Sequence, residues 1–234
     1  MQNFAREREK MLTYNKIISE GSMDMKNSEP RTLYTIQQVE TLSPAQFMRA
    51  VEETTRAFAG DPTFDFIFRS PQELSQLVDI NLRYYLKMGK IFGAFDENGV
   101  MQGISLWNEP GGQPITASSV LKSGLLGDFC KLFFHIKPGS FYRMLKISDC
   151  TQEHHPDGEH LYLYWITAFR PGAGSALLED AFARFHGLDI YLENSNQDKN
   201  DHFYRKHGFT PLPEIGWRGC VLQPMLRTIQ SISG

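Results

Sequence analysis

The stretch from His160 to Glu193 constrains the fold of this chain more than any other. Leu161-Tyr162-Leu163-Tyr164-Trp165-Ile166-Thr167-Ala168 is an apolar run of strand length, Arg170-Pro171-Gly172-Ala173-Gly174 is a glycine turn, and a helix is predicted from Ala173 to His186. Leu188-Asp189-Ile190-Tyr191-Leu192 then reads as a second strand ending at Glu193. A strand that turns through glycine into a helix leaves backbone N–H groups free at the positive end of the helix dipole, and that end suits a phosphate. Glycines also let such a group approach the backbone closely. The stretch therefore predicts a phosphate-bearing ligand at the start of that helix.

Bulk properties narrow what surrounds it. The 234 residues are 41% hydrophobic and 22% charged, enough for a full core, and the net charge of -3 disfavours a broad grip on nucleic acid or an anionic membrane. Cys130, Cys150 and Cys220 form no CxxC pair and no disulfide framework, so a reducing, cytoplasmic setting is expected. No run approaches the roughly 18 apolar residues of a membrane span. Residues 1–30 differ in texture, with the charge run Arg6-Glu7-Arg8-Glu9-Lys10, and are read as an appendage to a domain over 31–234.

Along the chain, Thr32 to Gln38 reads as a first strand. Ser43-Pro44 and Ser70-Pro71 read as helix starts, with Glu73 at the N3 position of the second. Lys90–Asp96 and Val100–Asn108 alternate around Asn98-Gly99 and predict a hairpin. Thr116 to about Ser148 reads as helical until Lys137-Pro138-Gly139 breaks it. Asp201–His207 reads as a short helix, with closing strands at Phe209–Pro211 and Arg218–Leu226. This alternation indicates an α/β sheet protein.

Several segments, taken in this order, resemble one family. They are Ala57-Phe58 with Asp61-Pro62, Leu106-Trp107 with Pro110-Gly111, Gly174-Ser175-Ala176-Leu177-Leu178-Glu179, Tyr191-Leu192-Glu193-Asn194-Ser195-Asn196 with Asn200, and Phe203-Tyr204-Arg205-Lys206-His207-Gly208-Phe209. Together, over roughly residues 40–226, they resemble the GNAT superfamily of acetyl-CoA-dependent N-acetyltransferases. Arg170 stands one residue past the place where that family carries Gln or Arg, in a turn shorter than the family's.

The resemblance implies a GNAT-type acyl-CoA N-acyltransferase fold, a mixed central sheet flanked by helices. It implies transfer of an acetyl group from acetyl-CoA to a primary amine of a small molecule, by direct attack and without a metal. Trp165, Ile166 and Thr167 would pair with the pantetheine arm, and Arg170, Gly172, Ala173, Gly174 and Ser175 would cradle the pyrophosphate. Asn196, Asn200 and Tyr204 would complete the coenzyme site. Tyr204 would be the acid that protonates the leaving thiolate, and Glu193 the base, with Glu109 and the pair His154-His155 as other candidates. Trp107 and Glu109 would bound the acceptor, in a lining that could include Phe64, Phe66, Phe133 and Phe141.

Two rival readings share these residues. An acyl-CoA-binding module without turnover would keep the fold and the cradle. A dinucleotide-binding βαβ unit would use Gly172 and Gly174 for the pyrophosphate and Glu193 for a ribose, but Leu177 occupies the third glycine position. His154-His155-Pro156 has no partner spacing for a metal.

Overall fold

The hairpin is where sequence chemistry and structure meet most directly. In a computed structural model that describes residues 33–112 and 115–229, β2 (Lys90–Phe95) and β3 (Met101–Asn108) pair antiparallel around a turn with Gly99 at φ 71°. The Asp96 carboxylate accepts from the N–H groups of Asn98 and Val100, so this turn is held by its own side chain. The segment read as an appendage, residues 1–30, lies outside the described residues.

On one side of the hairpin, β1 (Thr35–Gln38) pairs antiparallel with β2. On the other, β3 pairs antiparallel with β4 (His160–Ala168), which lies parallel to β5 (Asp189–Asn194). Beyond β5 come β8 (Cys220–Arg227) and the short β6 (Thr210–Pro211), with β7 (Ile215–Trp217) paired to β8 as a curl. A single parallel pair in an otherwise antiparallel sheet does not build the doubly wound layer that a dinucleotide fold requires. That rival fails on topology.

Helices cover both faces. One face carries α1 (Pro44–Phe58), α2 (Pro62–Ile67), α3 (Pro71–Met88) and three helices between β3 and β4. The other carries α7 (Ala173–Arg184) and the aromatic end of α8 (Gln197–Lys206). Ser43 forms a full capping box with Gln46, and Pro44 occupies the first helical position. Period-two alternation divides β2 and β3 between two cores: Ile91, Ile104 and Leu106 face α1 and α3, while Phe92, Ala94 and Trp107 face α7.

Several expectations need correction. The region expected as helical with a break at Lys137-Pro138-Gly139 holds three helices: α4 (Ala117–Ser123), α5 (Leu126–His135) and α6 (Pro138–Glu153). Gly124 ends α4 in a left-handed conformation, and Pro138 starts α6 instead of merely stopping α5, because proline fits a first helical turn. The α2 turn, capped by Asp61, and the strand β7 were not expected. Glu73 does not close a box with Ser70. Its carboxylate accepts from the Arg69 N–H at 2.7 Å and reaches Lys137 N at 2.7 Å, so it ties the start of α3 to the start of α6.

Candidate active site

The site is built by a divergence of strands. β4 and β5 pair only over His160–Tyr162 and Asp189–Tyr191. Beyond that point β4 pairs with β3 alone and β5 with β8 alone, so a cleft opens between them. A bulge at Leu106/Trp107 leaves Tyr164 as the extra residue of β4, and its ring stacks on Tyr85 at 5.0 Å and on Trp165 at 5.0 Å. The cleft is the centre of a cavity of about 1020 Å³.

At one end lies the start of α7. Gly172 sits at φ 85°, which only glycine adopts without strain, and lines the cavity with Gly174 and Ser175. Among the described residues, no backbone carbonyl accepts from the N–H of Gly172, Gly174 or Ser175. Asn196, Lys199 and Asn200 at the start of α8 face the same end. Ala173 is fully buried, packed so closely on β3 that a side chain at Gly103 would meet its Cβ at 3.0 Å. Arg170 is exposed and outside the lining, whereas Lys199, which the sequence did not single out, is in it.

In the middle, Trp165, Ile166 and Thr167 of β4 face Glu193 and Asn194 of β5 across the cleft. Buried polar atoms without hydrogen-bond partners gather here: Thr167 Oγ1 and Asn194 Nδ2. The hydroxyl of Tyr162 donates to Glu193 Oε2 at 2.7 Å. Burial pushes the Glu193 carboxyl up to about 7, with hydrogen bonds from Tyr162 and Tyr191 opposing that rise. His155 Nδ1 stands 3.9 Å from Glu193 Oε1, and burial, then the neighbouring His160, hold His155 down at about 4.

Tyr204, on α8, is buried against Phe203 and Phe209 and lines the cavity. Burial, and secondarily the charge of Asp61, raise its phenol above the ordinary value, so it stays protonated at neutral pH. Asp61 is the residue here that sequence chemistry underweighted. Its Oδ1 caps α2 through Thr63 N and Phe64 N, and its Oδ2 accepts from the Ser195 hydroxyl at 2.6 Å. It thereby joins the start of α2 to the loop after β5. An Asp-Pro pair signals a helix start, but nothing local signals a partner 134 residues away.

The far end is apolar. Phe58 and Phe64 meet the Trp165 ring edge-on at 5.1 and 6.0 Å, and Phe129, Leu132, Phe141 and Met144 continue the wall. Trp107 and Glu109, expected to bound the acceptor, are not in this lining. Trp107 is fully buried on the α7 face, with its indole N–H donated to Ser105, because strand alternation turns Leu106 and not Trp107 toward α1 and α3. Glu109 lies at the surface, 3.7 Å from Lys90. Phe66 packs on Trp217 outside the cavity, His154 bonds back to the Cys150 carbonyl, and the Phe133 side chain lies outside the description. Among the described residues, no group of three His, Cys, Asp or Glu could hold a metal ion, and no helix is long and apolar enough to cross a membrane.

An antiparallel sheet that splits after one short parallel pair, with a glycine-started helix at the split, defines an acyltransferase fold. The chain shares this fold with GNAT-type acetyltransferases of known structure. It is similar to a Corynebacterium glutamicum protein described as histone acetyltransferase HPA2 and related acetyltransferase, at 25% identity and a TM-score of 0.59 over 86% of this chain and 99% of that one. The arylalkylamine N-acetyltransferase 2 of Aedes aegypti shares the fold at 15% identity and a TM-score of 0.54, over 84% of this chain and 100% of that one. An N-acetyltransferase of Staphylococcus aureus shares it at 12% identity and a TM-score of 0.54, over 82% and 99%. No family model and no curated protein matches the sequence.

Proposed function

We propose that the protein transfers an acetyl group from acetyl-CoA to the primary amine of a small molecule with an apolar body. The observation that carries this reading is the split between β4 and β5, where the glycine-started helix, Glu193 and Tyr204 converge on one cavity. The free N–H groups at Gly172, Gly174 and Ser175, with Lys199 nearby, suit the pyrophosphate. Beyond Tyr162, the edge of β4 facing β5 has no strand partner, which suits the pantetheine arm as an added strand. Thr167 and Asn194 supply buried polar atoms for its amides.

The amine nitrogen attacks the thioester carbonyl, and a β4 backbone N–H steadies the oxyanion. Glu193, balanced near neutrality, takes the proton the amine loses. The carbon–sulfur bond then breaks, and Tyr204 gives its proton to the departing thiolate. The apolar far wall, with Asp61 and Glu193 as the acids of the cavity lining, favours an amine on an aromatic or alkyl body over a polyamine or a polyhydroxylated one. A calorimetric titration should show acetyl-CoA binding, and product mass spectrometry on an amine panel should show N-acetylation of apolar amines. Binding without acetylation of any amine would instead favour the acyl-CoA-binding module.

A further inference from the structure

Glu193 as a base creates a problem that the cavity does not solve. Its side chain is only 7% exposed, so a proton it takes from the amine needs a way out before the next turnover. On the side away from the cavity lining, Glu193 Oε1 faces His155 Nδ1 at 3.9 Å. His155 Nε2 lies 2.8 Å from His160 Nε2, and His160 Nδ1 lies 3.0 Å from the carbonyl of Gly158 in a solvent-exposed contact.

The tautomers follow from the acceptor at the end of this row. A carbonyl can only accept, so the proton of neutral His160 sits on Nδ1 and its Nε2 is bare. His155 must then donate the Nε2–H of the shared bond, which leaves its own Nδ1 bare and turned to Glu193. That is the tautomer able to accept from a protonated carboxyl. The Tyr191 hydroxyl also bonds to the Glu193 carboxyl, and the 3.9 Å between Glu193 Oε1 and His155 Nδ1 has to shorten for the proton to pass.

We propose that His155 and His160 form a relay that carries the amine's proton from Glu193 to solvent. This rests on the reading of Glu193 as the base of acetyl transfer. The amine N–H bond breaks and the proton joins the Glu193 carboxylate. The Glu193 O–H bond breaks as the His155 Nδ1–H bond forms, the Nε2 proton of His155 passes to His160 Nε2, and His160 releases its Nδ1 proton to water or buffer. Glu193 returns to the carboxylate, and the partly exposed rings regain their tautomers by exchange with water.

The groups facing Glu193 suit this path. Tyr162 and Tyr164 from β4, Tyr85 from α3, Cys150 from α6 and Tyr191 from β5 all sense its charge, and the tyrosines and Cys150 hold their protons more tightly than usual. His155, held at about 4, keeps a proton only in passing, as a relay should.

The test is steady-state acetylation by the full chain and its His155→Ala and His160→Ala variants, across the pH range around neutrality, with and without added imidazole. The expected result is a fall in kcat of about tenfold, with KM unchanged for amine and acetyl-CoA, and recovery as imidazole rises. His160 is partly exposed and its ring packs on buried Tyr191, so imidazole rescue separates loss of the relay from loss of packing. Full turnover in both variants at every pH, or a loss that imidazole does not restore, overturns the relay and leaves acetyl transfer standing. A wild-type chain that acetylates no amine overturns the underlying reading and the relay with it.

Discussion

A single carboxyl, Glu193, ties stability to the chemistry proposed for it. The folded chain holds its proton up to about 7, whereas the unfolded chain releases it near 4.5. Between those values the folded state binds more protons, so stability declines as pH rises from 4.5 through 7. Glu193→Gln removes that penalty. Its melting temperature should exceed that of the wild type above neutral pH, by a free energy of at most about 3 kcal/mol, and the gap should close near about pH 5. Equal melting curves at both pH values would mean that Glu193 is solvated. The same variant should lose about 10²-fold in kcat, together with any rise of activity through neutral pH. Tyr204→Phe removes only a hydroxyl from a buried ring and should keep the fold while lowering kcat by a similar factor. Undiminished turnover would take Tyr204 out of the acid role.

At the scale of elements, two joints position the cleft. Glu73 holds the starts of α3 and α6 together through three hydrogen bonds, to Arg69 N, Lys137 N and the Ser140 hydroxyl. Although burial alone would raise its pKa, those bonds and the Lys137 charge hold the carboxyl below its usual value. Glu73→Ala leaves buried donors without an acceptor and should lower unfolding free energy in urea by about 2 kcal/mol. The acceptor wall carried by α6 should loosen with it, raising KM for the amine more than for acetyl-CoA. The second joint is the turn into α7. Gly172→Ala places a side chain at φ 85°, a cost of about 1 kcal/mol in a conformation L residues avoid. Calorimetry should show weaker acetyl-CoA binding, with the rate of the saturated enzyme little changed.

For the whole molecule, legibility followed the range of the interaction. The hairpin was readable because Asn98-Gly99 acts on its own neighbours, and α1 and α3 because serine caps and prolines work within one turn. The turn into α7 was readable because a strand, a glycine turn and a helix lie in sequence. What spans the sheet was not. The facing of Trp107 depends on strand alternation beside a bulge, and Asp61–Ser195 and Glu73–Lys137 join residues that only the fold brings together. His155 and His160 lie close in sequence, yet the approach of His155 to Glu193 exists because β4 and β5 run parallel before they part. The cavity is thus a product of topology, and its apolar far wall comes from helices whose break at Gly124 the local pattern did not show.

Amine-dependent release of free thiol from acetyl-CoA, followed continuously with an arylalkyl amine and the full chain, tests the central claim most directly. The account predicts thiol release matched mole for mole by N-acetylated amine, abolished when the amine is left out and strongly reduced in Glu193→Gln. Acetyl-CoA that binds at the cleft while thiol release stays independent of every amine offered would contradict it.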